Sequence, residues 1–206
     1  MEAAPDARYG EAMTWTIPNT LTTLRLLAAP GVAVMFLFFN RPLADWCALV
    51  FFIGAALTDY FDGYLARLWG QETKFGAMLD PIADKAMVII ALLVITGFSG
   101  MNPWILLPAT LIIFREAFVS GLREYLGNTS RHLKVTILAK WKTTVQMGAI
   151  AWLFLSGALE HYFGAEAIST HIAWWVGVIA LWVGMALTLV TGLDYFLKSL
   201  PYLKEE

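Results

Sequence analysis

Long apolar stretches alternate with short polar segments along almost the whole chain. Each stretch is close to the roughly 20 residues that a helix needs to cross the hydrocarbon core of a bilayer. We therefore predict an all-α integral membrane protein with about six transmembrane helices. The polar residues 1–16 form a juxtamembrane segment, and residues 17–206 form a single six-helix domain. The predicted spans are Leu21–Phe39, Ala44–Leu65, Met78–Gly97, Pro103–Leu126, Leu138–Leu159 and Ile172–Leu197.

Composition supports this class, because 59% of the 206 residues are hydrophobic and 14% are aromatic. The N-terminal residues lack the basic and then apolar pattern of a cleaved signal peptide, so the first span should start insertion. Cys47 is the single cysteine, which excludes a disulfide framework. No nucleic-acid motif and no basic stripe with interleaved aromatic residues is present, so nucleic acid is not an expected partner.

The basic residues predict the orientation. With six spans both termini lie on one side, and only Arg41 of the 14 Lys and Arg residues falls on the other side. Because cytoplasmic loops carry the excess of Lys and Arg, both termini should be cytoplasmic. The expected location is a bacterial inner membrane.

Two pairs of aspartates stand where the second and third spans approach the cytoplasm: Asp59 with Asp62, and Asp80 with Asp84. A charged side chain at the bilayer centre costs about 2.5–3.5 kcal/mol, so such residues are functional candidates. The members of each pair lie within about 60° of each other on a helix. A short polar stretch with a glycine separates the pairs, which predicts a helical hairpin in which they converge. Hard cations such as Mg²⁺ or Mn²⁺ suit an all-carboxylate site, and two ions would balance four negative charges.

Other interpretations of these aspartates remain open. They could be salt-bridged to Arg67 and Lys85 and merely hold the bundle together. They could also form a proton or cation path in a transporter. Gly63 and Ala66 leave room beside the carboxylates for a ligand, and Arg67 offers a planar fork to a phosphate.

The string DYFDGYLARLWGQETKFGAMLDPIAD resembles the signature of the CDP-alcohol phosphotransferases, D-x2-D-G-x2-A-R-x8-G-x3-D-x3-D, at every specified position. The resemblance implies an integral membrane enzyme, commonly dimeric, with a six-helix bundle and a cytoplasm-facing site. Such enzymes transfer a substituted phosphate from a CDP-linked donor to an alcohol and release CMP.

The resemblance also implies roles for individual residues. Asp59, Asp62, Asp80 and Asp84 would coordinate divalent metal, with Asp84 also the general base and therefore the catalytic residue. The residues expected at the CDP-lipid, either in contact with it or giving it clearance, are Asp59, Gly63, Ala66, Arg67, Thr73 and Gly76.

The start of the first span carries a second polar group, Asn19, Thr22 and Arg25. Pro18 is a plausible helix start, and Thr22 and Arg25 then share one face. Arg25 needs a phosphate or an aspartate as its partner. Similar segments in the family approach the donor, so we expect a CDP-lipid-binding role, with a structural salt bridge or a helix cap as the alternative.

The second half of the chain should supply the acceptor pocket. Its cations Arg115, Arg123, Lys140 and Lys142 are expected to bind the acceptor phosphate, although an Arg115–Glu116 pair could be structural. The segments IIFREAFVSGLREYLG and KVTILAKWKTTVQM resemble the bacterial branch of the family that joins CDP-diacylglycerol to sn-glycerol 3-phosphate. Phosphatidylglycerol and inositol phosphate remain alternative acceptors.

Two further expectations concern lipid and self-association. The diacyl tails of the donor should remain in the bilayer, which predicts a side opening between spans near Asp59 and Asp62. Gly177 and Gly184 belong to a strip of small residues suited to close helix packing. The interface of an expected homodimer could lie on this strip or on another span.

Overall fold

The computed structural model describes residues 16–69, 73–127 and 138–203. Within these ranges the structure is helical, with six α-helices and a terminal 3₁₀ turn, Leu200–Tyr202. The helices are α1 (Ile17–Phe38), α2 (Leu43–Trp69), α3 (Lys74–Phe98), α4 (Pro103–Leu126), α5 (Leu138–Phe163) and α6 (Ile168–Ser199).

Each described helix contains most of one predicted span, so the all-α prediction is confirmed. Within the part of the chain that the structure describes, length and composition are sufficient for three segments to cross a membrane: Asn19–Phe38, Pro103–Leu126 and Ile168–Tyr202. The apolar part of α2 is shorter, Leu43–Thr58. Helices α3 and α5 carry charged residues at the ends that hold the polar clusters described below. A count of six spans is therefore approximate, whereas the six helices are observed among the described residues.

The outer surface of the bundle is apolar. Leu27, Leu37 and Phe38 are each more than 70% exposed. A water-facing surface with many such side chains would be unfavourable, whereas lipid accommodates them. The exposed apolar side chains and the long apolar helices together identify an integral membrane protein.

Polar caps set the starts of α1 and α3. Thr16 caps α1 by accepting a hydrogen bond from the backbone N–H of Asn19, and Pro18 occupies the first turn, as expected from its fixed φ. Thr73 caps α3 in the same way, accepting from the N–H of Gly76. Both caps lie at the end of the bundle that carries the first polar cluster.

Helices α5 and α6 pack closely along the predicted strip of small residues. A Cβ added to Gly177 would lie 2.8 Å from Cγ of Leu153, and one added to Gly184 would lie 3.0 Å from Cγ of Gln146. The prediction of close packing is confirmed. These two glycines serve contacts within one chain, and the position of the interface in the expected homodimer stays a prediction.

The opposite end of the bundle contains an ion pair between a buried carboxylate and a half-buried arginine. Asp45, 2% exposed, accepts two hydrogen bonds from Arg41, from Nε at 2.6 Å and from Nη2 at 2.9 Å. The hydrogen bond to Asp45 raises the pKa of Arg41 above its usual range, against the effect of burial. A Cβ at Gly157 would collide with both partners. The single cation predicted for this side is therefore neutralised within the fold.

Candidate active site

Helices α1 and α3 meet along a polar seam near their N-terminal ends. Asn19, Thr22 and Arg25 follow one another at intervals of three residues on α1, and all three are at most 4% exposed. Such spacing places side chains on one helical face. Their partners on the other side of the seam are Thr73, Asp80 and Asp84. The structure thus brings together six of the residues predicted to bind CDP-lipid or metal.

The outermost contact of the seam joins Asn19 to the cap of α3. Oγ1 of Thr73 donates to Oδ1 of Asn19 at 2.9 Å while accepting from the N–H of Gly76 at 3.0 Å. A Cβ at Gly76 would lie 2.6 Å from the same Asn19 oxygen. The space left by Gly76 is therefore occupied by the Asn19 side chain.

The next two contacts hold the described aspartates. Oγ1 of Thr22 donates to Oδ1 of Asp80 at 2.8 Å. Nη1 of Arg25 donates to Oδ1 of Asp84 at 3.1 Å, with the Arg25 side chain 2% exposed and that of Asp84 32% exposed. Of the two partners considered for Arg25, the structure contains the aspartate. Thr22 and Arg25, which are buried, thus hold the carboxylates of Asp80 and Asp84, and both carboxylates remain partly exposed.

The first aspartate pair lies on α2, whose backbone continues to Trp69. The side chains of residues 59–69 are outside the described set, so the contacts predicted for Asp59, Asp62, Gly63, Ala66 and Arg67 stay predictions. Because α3 begins at Lys74, both aspartate pairs flank the same short connection. Among the side chains that are described, no group of three metal-binding residues occurs.

A second polar cluster joins α4, α5 and α6. Oε1 of Glu116 accepts from Nη1 of Arg115 at 3.1 Å and from Nζ of Lys142. Nη2 of Arg115 also donates to Oγ1 of Thr191 at 3.2 Å. Arg115, Glu116 and Lys142 are each at most 9% exposed. Two of the cations predicted to bind the acceptor thus meet on one carboxylate, which confirms the Arg115–Glu116 contact considered from sequence.

The remaining cations lie around this cluster. Nζ of Lys85 donates to Oγ of Ser120 on α4 at 2.6 Å, rather than to an aspartate among the described contacts. The guanidinium of Arg123 lies 5.2 Å from the centre of the Tyr195 ring, a cation–π distance. The side chain of Lys140 is outside the described set. Ser120 and Thr191 were missed from sequence, whereas Glu116 was considered there only as a structural partner of Arg115.

Comparison with known proteins decides the family. The sequence model of the CDP-alcohol phosphatidyltransferases matches residues 15–190, a range that contains every residue of the two polar clusters except Thr191. The chain belongs to the CDP-alcohol phosphatidyltransferase family. This family is the one that the aspartate signature resembles, so that prediction is confirmed.

Several curated relatives carry the name CDP-diacylglycerol–glycerol-3-phosphate 3-phosphatidyltransferase. One from Cereibacter sphaeroides is 61% identical over 220 aligned positions, which cover 94% of this chain and 100% of the relative. One from Rickettsia bellii is 39% identical over 186 positions, covering 90% and 96%. One from Salmonella choleraesuis is 43% identical over 145 positions, covering 68% and 78%.

This CDP-alcohol phosphatidyltransferase also has an apolar groove between α1 and α2. It measures about 280 Å³ and is lined by Leu21, Leu24, Arg25, Ala28, Phe51, Gly54, Ala55 and Thr58. Among the described lining residues Arg25 alone is charged, and Thr58 directly precedes Asp59. The groove lies where the side opening for lipid tails was predicted.

Proposed function

We propose that the protein transfers a phosphatidyl group from CDP-diacylglycerol to sn-glycerol 3-phosphate, giving phosphatidylglycerophosphate and CMP. The observation that carries this proposal is the 61% identity, over 94% of the chain, to a relative named for that reaction. The polar seam beside an apolar groove and the separate buried basic cluster support it, because the reaction needs a lipid donor and an anionic acceptor.

The donor occupies the α1–α2–α3 side of the bundle in this proposal. Its acyl tails lie in the groove, and its nucleotide end lies at the polar seam. Asn19, Thr22 and Arg25 hold the seam in position, and Arg25 lines both the seam and the groove. The motif residues of α2, above all Arg67, complete the binding of the CDP part.

Asp84 is the general base of the proposed step. The acceptor hydroxyl oxygen attacks the phosphorus that bears the diacylglycerol, and the hydroxyl proton passes to the Asp84 carboxylate. The bond between that phosphorus and the CMP oxygen breaks, and CMP leaves with the electron pair. A base within hydrogen-bonding reach of the proton is the usual solution for a weak alcohol nucleophile. The partial exposure of Asp84 allows an acceptor to reach it.

Divalent metal fits the donor atoms at this end of the bundle. The described contacts to Asp80 and Asp84 involve Oδ1 of each carboxylate, which stand one turn apart on the same helix. Carboxylate oxygens are the ligands that Mg²⁺ and Mn²⁺ prefer. We propose that Asp80 and Asp84 hold two such ions together with Asp59 and Asp62. Bound ions of this kind supply charge stabilisation for the donor pyrophosphate and the departing CMP.

The acceptor phosphate binds at the basic cluster. Lys85, Arg115 and Lys142 carry three positive charges against the single carboxylate of Glu116, so these four side chains have a net charge of +2. Positive charge in a partly desolvated pocket attracts a phosphate dianion. This supports Arg115, Arg123, Lys140 and Lys142 as the acceptor site, and it favours a phosphorylated acceptor over a neutral alcohol.

The orientation and the assembly also belong to the proposal. Among the Lys and Arg residues that the structure describes, only Arg41 lies at the end opposite the seam, which supports an active site and termini that face the cytoplasm of a bacterial inner membrane. The family resemblance supports a homodimer.

CMP release tests this proposal. The purified protein in mixed micelles is given CDP-diacylglycerol and Mg²⁺, with and without sn-glycerol 3-phosphate. We expect CMP only when metal and acceptor are both present. Turnover with phosphatidylglycerol or inositol phosphate instead would overturn the acceptor assignment, and metal uptake without CMP release under any condition would favour a cation transporter.

A further inference from the structure

Glu116 is a buried carboxylate to which the proposed reaction assigns no role. It lies on α4, is 7% exposed, and has its Oε1 within reach of cations from two helices, Arg115 on α4 and Lys142 on α5. An acidic residue in the middle of a cluster proposed to bind an anion would by itself repel that anion. The contacts of Glu116 with the neighbouring cations indicate a role that offsets this repulsion.

Arg115 and Lys142 repel each other, and the repulsion is strong because burial lowers the effective dielectric constant. The two cations converge on the same oxygen atom of Glu116, so the carboxylate lies between them and compensates their charges. Without it, two like charges would share a buried site with no counter-charge among the described contacts of this cluster.

The two cations depend on Glu116 to different degrees. Arg115 has a second anchor in Thr191, and Gly192 leaves the space in which its side chain lies, since a Cβ there would be 2.8 Å from Cγ of Arg115. The described hydrogen bond of Lys142 goes to Glu116 alone. The position of the Lys142 ammonium is therefore set mainly by Glu116.

We propose that Glu116 is a positioning residue for the acceptor, which holds Arg115 and Lys142 side by side so that both can bind the phosphate of sn-glycerol 3-phosphate. This inference rests on the proposed function and deepens it. Glu116 acts through the two cations and does not itself touch substrate. Its loss should weaken acceptor binding and leave donor binding and the chemical step nearly unchanged.

Steady-state kinetics of E116Q test this role, since glutamine keeps the size of the side chain and removes its charge. We expect the KM for sn-glycerol 3-phosphate to rise by about tenfold or more, as for the loss of one partner of a buried charge pair. The kcat and the KM for CDP-diacylglycerol should change by less than about threefold, within the effect of one hydrogen bond. The charge-conserving variant E116D should fall between E116Q and the unmodified enzyme. E124Q, at an exposed position on the same helix, is the matched control and should behave like the unmodified enzyme.

A double-mutant cycle with K142M separates positioning from general destabilisation. If Glu116 acts through Lys142, E116Q should raise the KM for sn-glycerol 3-phosphate much less in the K142M background than in the unmodified enzyme. Equal effects in both backgrounds, or an E116Q enzyme with an unchanged KM, would overturn the inference. If E116Q does not fold, the KM for sn-glycerol 3-phosphate is measured in E116D instead. An unchanged KM in E116D also overturns the inference. If the unmodified enzyme releases no CMP in response to sn-glycerol 3-phosphate, the proposed function is overturned as well. If the unmodified enzyme requires sn-glycerol 3-phosphate but E116Q leaves its KM unchanged, only the positioning role is overturned.

Discussion

Arg25 on α1 and Asp84 on α3 form an ion pair, with 3.1 Å between Nη1 and Oδ1, although they are 59 positions apart in the chain. The arginine side chain is 2% exposed and the aspartate side chain 32% exposed. The pair therefore fixes one oxygen of the proposed base from inside the bundle while the carboxylate remains accessible. A base that is held in this way needs little reorganisation when the acceptor arrives.

Replacing Asp84 with Asn should nearly abolish turnover while binding of CDP-diacylglycerol persists. Asparagine cannot take the hydroxyl proton, and loss of a general base lowers kcat by about 10²- to 10⁴-fold. CMP release and direct binding of the CDP-lipid check this prediction. D194N is a suitable control, because Asp194 pairs with Lys198 at the surface of α6. A folded D84N protein that no longer binds the CDP-lipid would contradict the assigned division of roles.

Replacing Thr22 with Val should weaken metal activation. The variant loses the hydrogen bond that orients Asp80, and loss of such a partner of a metal ligand costs about 10- to 100-fold in metal affinity or activity. A titration of activity with Mg²⁺ should show a higher half-saturating concentration. T20V provides the control, because Thr20 is exposed and its hydroxyl bonds only to the backbone oxygen of Thr16 among the described contacts. Equal metal dependence in the two variants would count against Asp80 as a ligand.

Replacing Gly76 with Ala should weaken donor binding. The new Cβ would lie 2.6 Å from Oδ1 of Asn19, so the Asn19 side chain must move and its hydrogen bond with Thr73 is lost. One lost hydrogen bond corresponds to about 0.5–1.5 kcal/mol, or a several-fold increase in the KM for CDP-diacylglycerol. G97A on the same helix has open space around its Cβ and should leave this KM unchanged.

Replacing Gly157 with Ala should destabilise the fold without any direct effect on the site. The added Cβ would collide with Arg41 and Asp45 and separate the half-buried arginine from the buried carboxylate at the far end of the bundle. The expected loss is about 1–3 kcal/mol, as for a buried polar group that loses its partner, visible as a lower midpoint of thermal unfolding in detergent. G148A on the same helix meets no atom within 4 Å of its Cβ and serves as the comparison. Similar unfolding midpoints for G157A and G148A would show that Arg41 and Asp45 can shift to accept the added methyl group without a loss of stability.

Helices and clusters were predictable from the sequence to different extents. Apolar stretches near 20 residues predicted the number and order of the helices, because length and hydropathy are local properties. The interval of three residues between Thr22 and Arg25 also placed these two side chains on one face in advance, whereas the position of Asn19 on the same face came from the structure. Their partners depend on which helix packs opposite, and the pairing of Thr22 with Asp80 appears only when α1 and α3 are in contact.

Glu116 and Gly76 illustrate the part that sequence left open. Nothing local indicates that Glu116 meets Lys142, 26 positions away on another helix. The motif predicted that Gly76 provides clearance, but the occupant of that space, Asn19, follows from the approach of a third segment. Contacts of this kind depend on the crossing of helices, which the hydropathy pattern does not encode.

Apart from Lys85 on α3, the two polar clusters belong to different halves of the chain, and this separation has an evolutionary consequence. The described residues assigned to the donor and to the chemistry lie on α1 and α3, whereas the buried Arg115, Glu116 and Lys142 lie on α4 and α5. With the acceptor bound at the second cluster as proposed, substitutions in the second half should change the accepted alcohol while the aspartates and their anchors stay intact. A family built in this way should acquire new head groups by exchanging the helices of its second half, and chimeras joined within the α3–α4 turn should inherit their acceptor from the C-terminal parent.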